Sequence, residues 1–197
     1  MKLHNSTYRL VLTALFVALV ILFGLTPVGL ISLGFINVTL LCIPVIAGTL
    51  ILGLKTGLLL GACFGLVSFL SMLGVSPLTP PSALAADLFS ANGFLAAVMC
   101  FVPRLAVPAV AWGVYKLAAK KEERSRRALP FAAAAGSIAN TILYLGMMLL
   151  FYVLCGLDAS AILGLIAGTG AIAGVSEAVV AAVIVTPVVA AIWKIQK

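Results

Sequence analysis

Six runs of almost unbroken apolar residues dominate this 197-residue chain. Each is close to the ~20 residues that a helix rising 1.5 Å per residue needs to cross ~30 Å of hydrocarbon. They extend from about Tyr8 to Leu25, Ile36 to Leu54, Gly57 to Leu73, Asn92 to Leu117, Pro130 to Cys155 and Ala167 to Trp193. Apolar residues cover every face of each run, without the alternation of a strand that has one wet side, so helices are expected and not barrel strands. With 64% hydrophobic and 9% charged residues, the chain has more apolar surface than a single soluble core could hide, and a bilayer must cover the excess. The expected fold is an all-α integral membrane protein, one six-helix bundle over residues 1–197, and not a soluble enzyme. Lys2 and Arg9 ahead of the first run give it a superficial likeness to a signal peptide. No small-residue cleavage site follows, so a retained first helix is expected.

The net charge of +7 is not arranged as a basic face for nucleic acid. It reports topology, because cytoplasmic loops retain Lys and Arg. Lys2 and Arg9 precede the first run, Lys55 separates the second and third, Lys116 to Arg127 joins the fourth and fifth, and Lys194 and Lys197 follow the sixth. The alternate loops, Thr26 to Gly34, Val75 to Ala91 and Gly156 to Ile166, contain no Lys or Arg. Both termini are therefore expected in the cytoplasm. The basic segment KLAAKKEERSRR reads as an anchor near anionic lipid. Val75 to Ala91, with three prolines and Asp87, reads as a long external connection, either a plain linker or a binding loop.

Ionisable residues inside a membrane cost several kcal/mol on insertion scales and are functional candidates by default. Two lie deep: Arg104 in the fourth run, about 17 Å from its outer end, and Glu177 in the sixth, about 15 Å deep. Asn140 reaches a similar level on the fifth run. There Gly136, Ser137, Asn140, Thr141 and Tyr144 recur at spacings of three and four and form one polar stripe. In one reading these groups line a solute cavity, with Arg104 holding an anionic group side-on and Asn140, Tyr144 and Glu177 meeting hydroxyls and amides. In the other, Arg104 and Glu177 brace the bundle as an ion pair. Small residues make two further stripes, Ala14 and Ala18 on the first run and Gly57, Gly61 and Gly65 on the third, for which packing within the molecule is the default. Pro44, Pro103, Pro108 and Pro187 are expected to kink their helices, and Pro103 to open backbone groups beside Arg104.

Much chemistry is missing. The only histidine, His4, precedes the first run; the four cysteines are widely spaced and read as buried small hydrophobes; and no Asp-rich cluster is present. Neither a cofactor nor a metal is expected. There is no Gly-x-x-x-x-Gly-Lys-Ser/Thr phosphate loop with which to use ATP, so an enzyme is not expected.

The run Leu33 to Leu73 (LGFINVTLLCIPVIAGTLILGLKTGLLLGACFGLVSFLSML), the loop Ser76 to Pro81, FVPRL at Phe101 to Leu105, GSIANT at Gly136 to Thr141 and SEAVVAAVIVTP at Ser176 to Pro187 together resemble one family. It is the substrate-binding S component of energy-coupling-factor vitamin transporters, in its pantothenate-type branch. The resemblance covers most of the chain and implies a bacterial plasma-membrane protein that captures a vitamin from outside. Such a protein docks on a transmembrane coupling protein, the T component, driven by two cytoplasmic ATPases. In this family an Ala-x-x-x-Ala on the first helix faces the coupling protein, and Ala14 and Ala18 match it. The candidate substrate residues are Arg104, Asn140, Tyr144, Glu177 and Asn37.

Pantothenate carries one carboxylate, one amide and two hydroxyls, and one deep arginine suits one carboxylate. Riboflavin and thiamine call for aromatic surfaces, yet Trp112 and Trp193 lie towards the cytoplasmic helix ends. Biotin, also a monocarboxylate, stays open. So do two other classes: a self-sufficient secondary carrier, although neither repeats nor ion-coupled broken helices are evident, and a structural subunit whose polar layer is glue.

Overall fold

The computed structural model describes residues 6–26, 29–32, 37–75, 83–119, 122 and 124–195. Helix α1 (Ser6–Leu25) is followed by a two-stranded ribbon of β1 (Leu30–Ser32) and β2 (Asn37–Thr39), then α2 (Cys42–Leu52) and α3 (Leu54–Met72). A short α4 (Ala83–Ala91) precedes α5 (Gly93–Ala119), and a single 3-10 turn, Arg126–Ala128, leads into α6 (Leu129–Leu154). Helix α7 (Ser160–Leu165) passes through a π turn, Ile166–Gly170, into α8 (Ala171–Ile195). The helices α1, α3, α5, α6 and α8 are long and apolar enough to cross a membrane.

These five match the expected runs to within a few residues, and the second run differs. Its N-terminal part is the strand β2, paired antiparallel with β1 (Leu30 opposite Thr39, Ser32 opposite Asn37), and only the 11 residues of α2 are helical. Every residue of α2 except Ile43 is buried, because α1, α3, α5, α6 and α8 all pack against it. A helix apolar on all faces suits a protein interior as well as lipid, which is why the run read as a span. Gly53, at φ +96°, breaks α2 from α3; that region is open to glycine at little cost. The connection Val75 to Ala91, expected as a loop, contains α4, and the loop expected at Gly156 to Ile166 contains α7.

The glycines of α3 serve packing within the molecule. A Cβ on Gly57 would collide with the Thr49 side chain of α2; one on Gly61 would lie 2.6 Å from the Arg104 carbonyl oxygen, and one on Gly65 would lie 2.7 Å from the Phe101 ring. Such close backbone approach is what small residues permit in membrane bundles.

Two apolar clusters result. One gathers Phe16, Val45, Leu60, Val107, Ala133, Val185 and Trp193 around α2. It ends among basic groups: Arg9 donates to the Leu52 carbonyl at 3.0 Å and Arg124 to the Trp193 carbonyl at 3.2 Å, so each cation meets the carbonyl end of a helix. At this end Lys116 lies 5.2 Å from the Trp112 ring, and the Tyr115 and Trp193 rings are 5.9 Å apart. The other cluster joins Met72, Leu88, Met99, Met148, Phe151 and Ile162, and there the Tyr152 hydroxyl donates to the Leu84 carbonyl at 2.5 Å, tying α4 to α6. The expected deep polar residues fall between the clusters. Arg104 lies between Cys100 and Val107 on α5, and Asn140 between Ala133 and Met148 on α6.

Candidate functional site

Arg104 is built into its position by its neighbours in sequence. A helix bonds each N–H to the carbonyl four residues back, and proline has no N–H to give. Pro103 thereby leaves the Met99 carbonyl without its helical donor, and Arg104 Nη1 donates to that oxygen at 3.1 Å. The guanidinium carbon lies 4.5 Å from the centre of the Tyr144 ring of α6 and 5.3 Å from that of Phe64 of α3, within cation–π range of both. The residue is only 8% exposed, and its Nε has no hydrogen-bond partner among the described residues. A buried guanidinium has five N–H donors to satisfy, and leaving any unmet is costly.

On α6, Asn140 is one helical turn from Tyr144 and so shares its face. Asn140 is also 8% exposed, and its side-chain oxygen is buried without a partner among the described residues. Gly136, a further turn along, packs against Ala111 of α5 and Ile46 of α2, so this face of α6 looks into the bundle. Its flank turns to α8, where the Thr141 hydroxyl donates to Glu177 Oε2 at 3.3 Å and lies 3.4 Å from its own helix carbonyl at Ser137. Glu177 is 9% exposed. Both Arg104 and Glu177 lie within electrostatic reach of the Cys42 thiol at the start of α2.

Of the residues singled out by sequence, Arg104, Asn140, Tyr144 and Glu177 thus face a common interior layer, held by α5, α6 and α8 around the start of α2. Arg104 donates to the Met99 carbonyl and Glu177 accepts from Thr141. Asn37 belongs to β2 and not to a helix, and its side chain lies outside the described residues. Ala14 and Ala18 are on the exposed face of α1, beside Leu10, Val11, Leu15 and Leu22. The four cysteines are free; Cys42 and Cys100 are buried, Cys63 and Cys155 half-buried. Sequence reasoning missed Phe64 and Cys42, and it expected Pro103 to open backbone groups without naming the Met99 carbonyl; a proline four residues on always releases a helical carbonyl.

Five membrane-length helices around buried charged and amide groups define a multi-pass membrane protein with an internal polar layer. The family model described as ECF transporter, substrate-specific component, matches residues 8–193. The chain is also 33% identical over 162 residues, 79% of its own length and 78% of the other's, to the pantothenic acid transporter PanT of Lactococcus lactis subsp. cremoris (strain MG1363). It belongs to the family of ECF transporter substrate-specific components, and is thus a transport subunit of the bacterial plasma membrane and not itself an enzyme.

Proposed function

We propose that this S component binds pantothenate in the layer between the two apolar clusters and delivers it to a T component powered by two cytoplasmic ATPases, having no ATPase site of its own. The observation that carries the reading is two unmet buried groups on neighbouring helices, the donor Arg104 Nε on α5 and the acceptor Asn140 Oδ1 on α6, each on a residue 8% exposed. A monocarboxylate with hydroxyl and amide groups meets both needs at once, and the identity with PanT favours pantothenate among such ligands. Tyr144 orients the arginine, Glu177 with Thr141 offers acceptors at the edge of the site, and Asn37, in the ribbon's sequence, is a further substrate-binding candidate. Ala14 and Ala18 form the exposed small-residue surface for the T component.

The same reading counts α2 as the sixth crossing and places both termini in the cytoplasm. Arg9 bonds to the last turn of α2 at Leu52, while Leu41, just before α2, packs on Gly24. From Arg9 to Gly24, α1 climbs about 22 Å, and α2 with Leu41 covers about 16 Å of the same depth. The ribbon completes that crossing. The basic groups at the Arg9 end favour it as the inner one.

Calorimetric titration of the purified protein with pantothenate, beside biotin and riboflavin, tests the function. Saturable one-to-one binding of pantothenate is expected. Arg104→Ala should weaken it about ten- to hundredfold, the worth of a charge-assisted hydrogen bond, while changing binding of the corresponding alcohol far less. Equal loss of both ligands would assign Arg104 a bracing role.

A further inference from the structure

The backbone of α5 carries two prolines, Pro103 and Pro108, and remains helical through both. Each removes one N–H, and each releases the carbonyl four residues before it: Met99 for Pro103 and Arg104 for Pro108. The two carbonyls have different fates. Arg104 donates Nη1 to the Met99 oxygen at 3.1 Å, whereas the Arg104 oxygen faces Gly61 of α3, where a Cβ would lie 2.6 Å away. Only the first is used by the guanidinium.

The bond to Met99 occupies Nη1 alone. Nε–H, buried and without a partner among the described residues, shares the opposite edge of the guanidinium with Nη2. That edge is the fork that receives a carboxylate side-on. Phe64 and Tyr144, at 5.3 and 4.5 Å, restrict the remaining freedom of the group. We propose that Pro103 is a positioning residue for ligand recognition: it frees the Met99 carbonyl to anchor Nη1 of Arg104, and so leaves the Nε/Nη2 edge set for the carboxylate of the ligand. This rests on the reading of Arg104 as the carboxylate-binding residue.

An alanine at position 103 restores the N–H, and the helix recaptures the Met99 carbonyl. The guanidinium then loses its anchor without losing its charge. The test titrates the full-length wild-type protein, Pro103→Ala, Pro103→Gly and Pro108→Ala with pantothenate and with the corresponding alcohol, and follows thermal unfolding of each. For both substitutions at 103, carboxylate binding is expected to weaken about tenfold and alcohol binding by less than about twofold. A merely structural proline would not move the ratio between the two ligands. Pro103→Ala should unfold at the wild-type temperature or above, because a helix gains a hydrogen bond, and Pro108→Ala should keep the wild-type ratio whatever its stability. Substitutions at 103 that preserve the ratio, or that weaken both ligands alike, would overturn the inference while the proposed function stood. A wild-type protein that binds neither ligand, or both equally, would overturn the proposed function and this inference with it.

Discussion

Gly61→Ala probes the joint between α3 and α5 and, through it, the seat of Arg104. The added Cβ would lie 2.6 Å from the Arg104 carbonyl oxygen and 3.3 Å from both the carbonyl carbon and Pro108 Cγ. Carbon–oxygen contacts settle near 3.3 Å, so about 0.7 Å must open between the helices. Neither neighbour can swing aside, since one is helix backbone and the other a proline ring. Overpacking of this kind costs about 1–3 kcal/mol, and the better helix propensity of alanine returns up to about 1 kcal/mol. Because neither neighbour yields, the cost falls in the upper part of that range, about 2–3 kcal/mol, and the net loss of about 1–2 kcal/mol corresponds to about 2–8 °C in Tm for a chain of this size. Because α5 moves at Arg104 itself, ligand affinity should fall with stability. Gly146 on α6, exposed and with nothing within 4 Å of a Cβ, supplies the control: Gly146→Ala should lose neither. Thermal unfolding in detergent with and without pantothenate reads both effects. A Gly61→Ala protein that unfolds at the wild-type temperature would refute the close α3–α5 approach.

Tyr152→Phe removes the hydroxyl that α4 uses at the Leu84 carbonyl, so amide exchange over 83–91 should accelerate by about five- to tenfold, the worth of ~1 kcal/mol, with little change in global stability; unchanged exchange would mean that the bond does not hold α4. The backbone N–H of Ser160 at 2.9 Å, then its hydroxyl, hold the Asp158 carboxyl below its ordinary value. Its folded pKa lies below the unfolded one, so its support for the start of α7 is present above the ordinary carboxylate range and is lost as pH falls through the folded value. The Ser160 amide resonance should report a midpoint below that of free aspartate, and a midpoint at or above it would contradict the contact. A fluorescent protein that matures only in the cytoplasm, fused after Lys197, should fluoresce in cells; a dark but expressed fusion would invert the proposed topology.

The long helices were legible because lipid and length impose a single demand, about 20 apolar residues, and α1, α3, α5, α6 and α8 meet it openly. Arg104, Asn140, Tyr144 and Glu177 were legible for the complementary reason that polar groups in such helices are few. The helical part of the second run is shorter than expected, and its apolar pattern could not set that length because burial in protein and burial in lipid select the same side chains. What distinguishes α2 is its surroundings on five helices, and no local pattern records them. The ribbon was hidden too, since its residues Val38 and Thr39 continue an apolar run without a turn signal inside it. The local partners within the site were equally out of reach: Arg104 donates to a backbone carbonyl five residues away, a bond that depends on the fold of α5 around Pro103.

The two prolines of α5 show how one helix reconciles released carbonyls with a dry environment. In hydrocarbon a released carbonyl has no water to turn to, and leaving it unmet costs several kcal/mol. At Met99 the release is answered by a charged side chain of the same helix, and that side chain is fixed in return. At Arg104 the oxygen is covered by a neighbouring helix that approaches closely because Gly61 has no side chain. The polar site and the helix packing therefore depend on the same backbone defect pair, five residues apart. Substitutions at 61, 103 and 104 should accordingly fail to add: once Arg104 is removed, Pro103→Ala has no guanidinium to release, and its effect on carboxylate binding should vanish in the double variant.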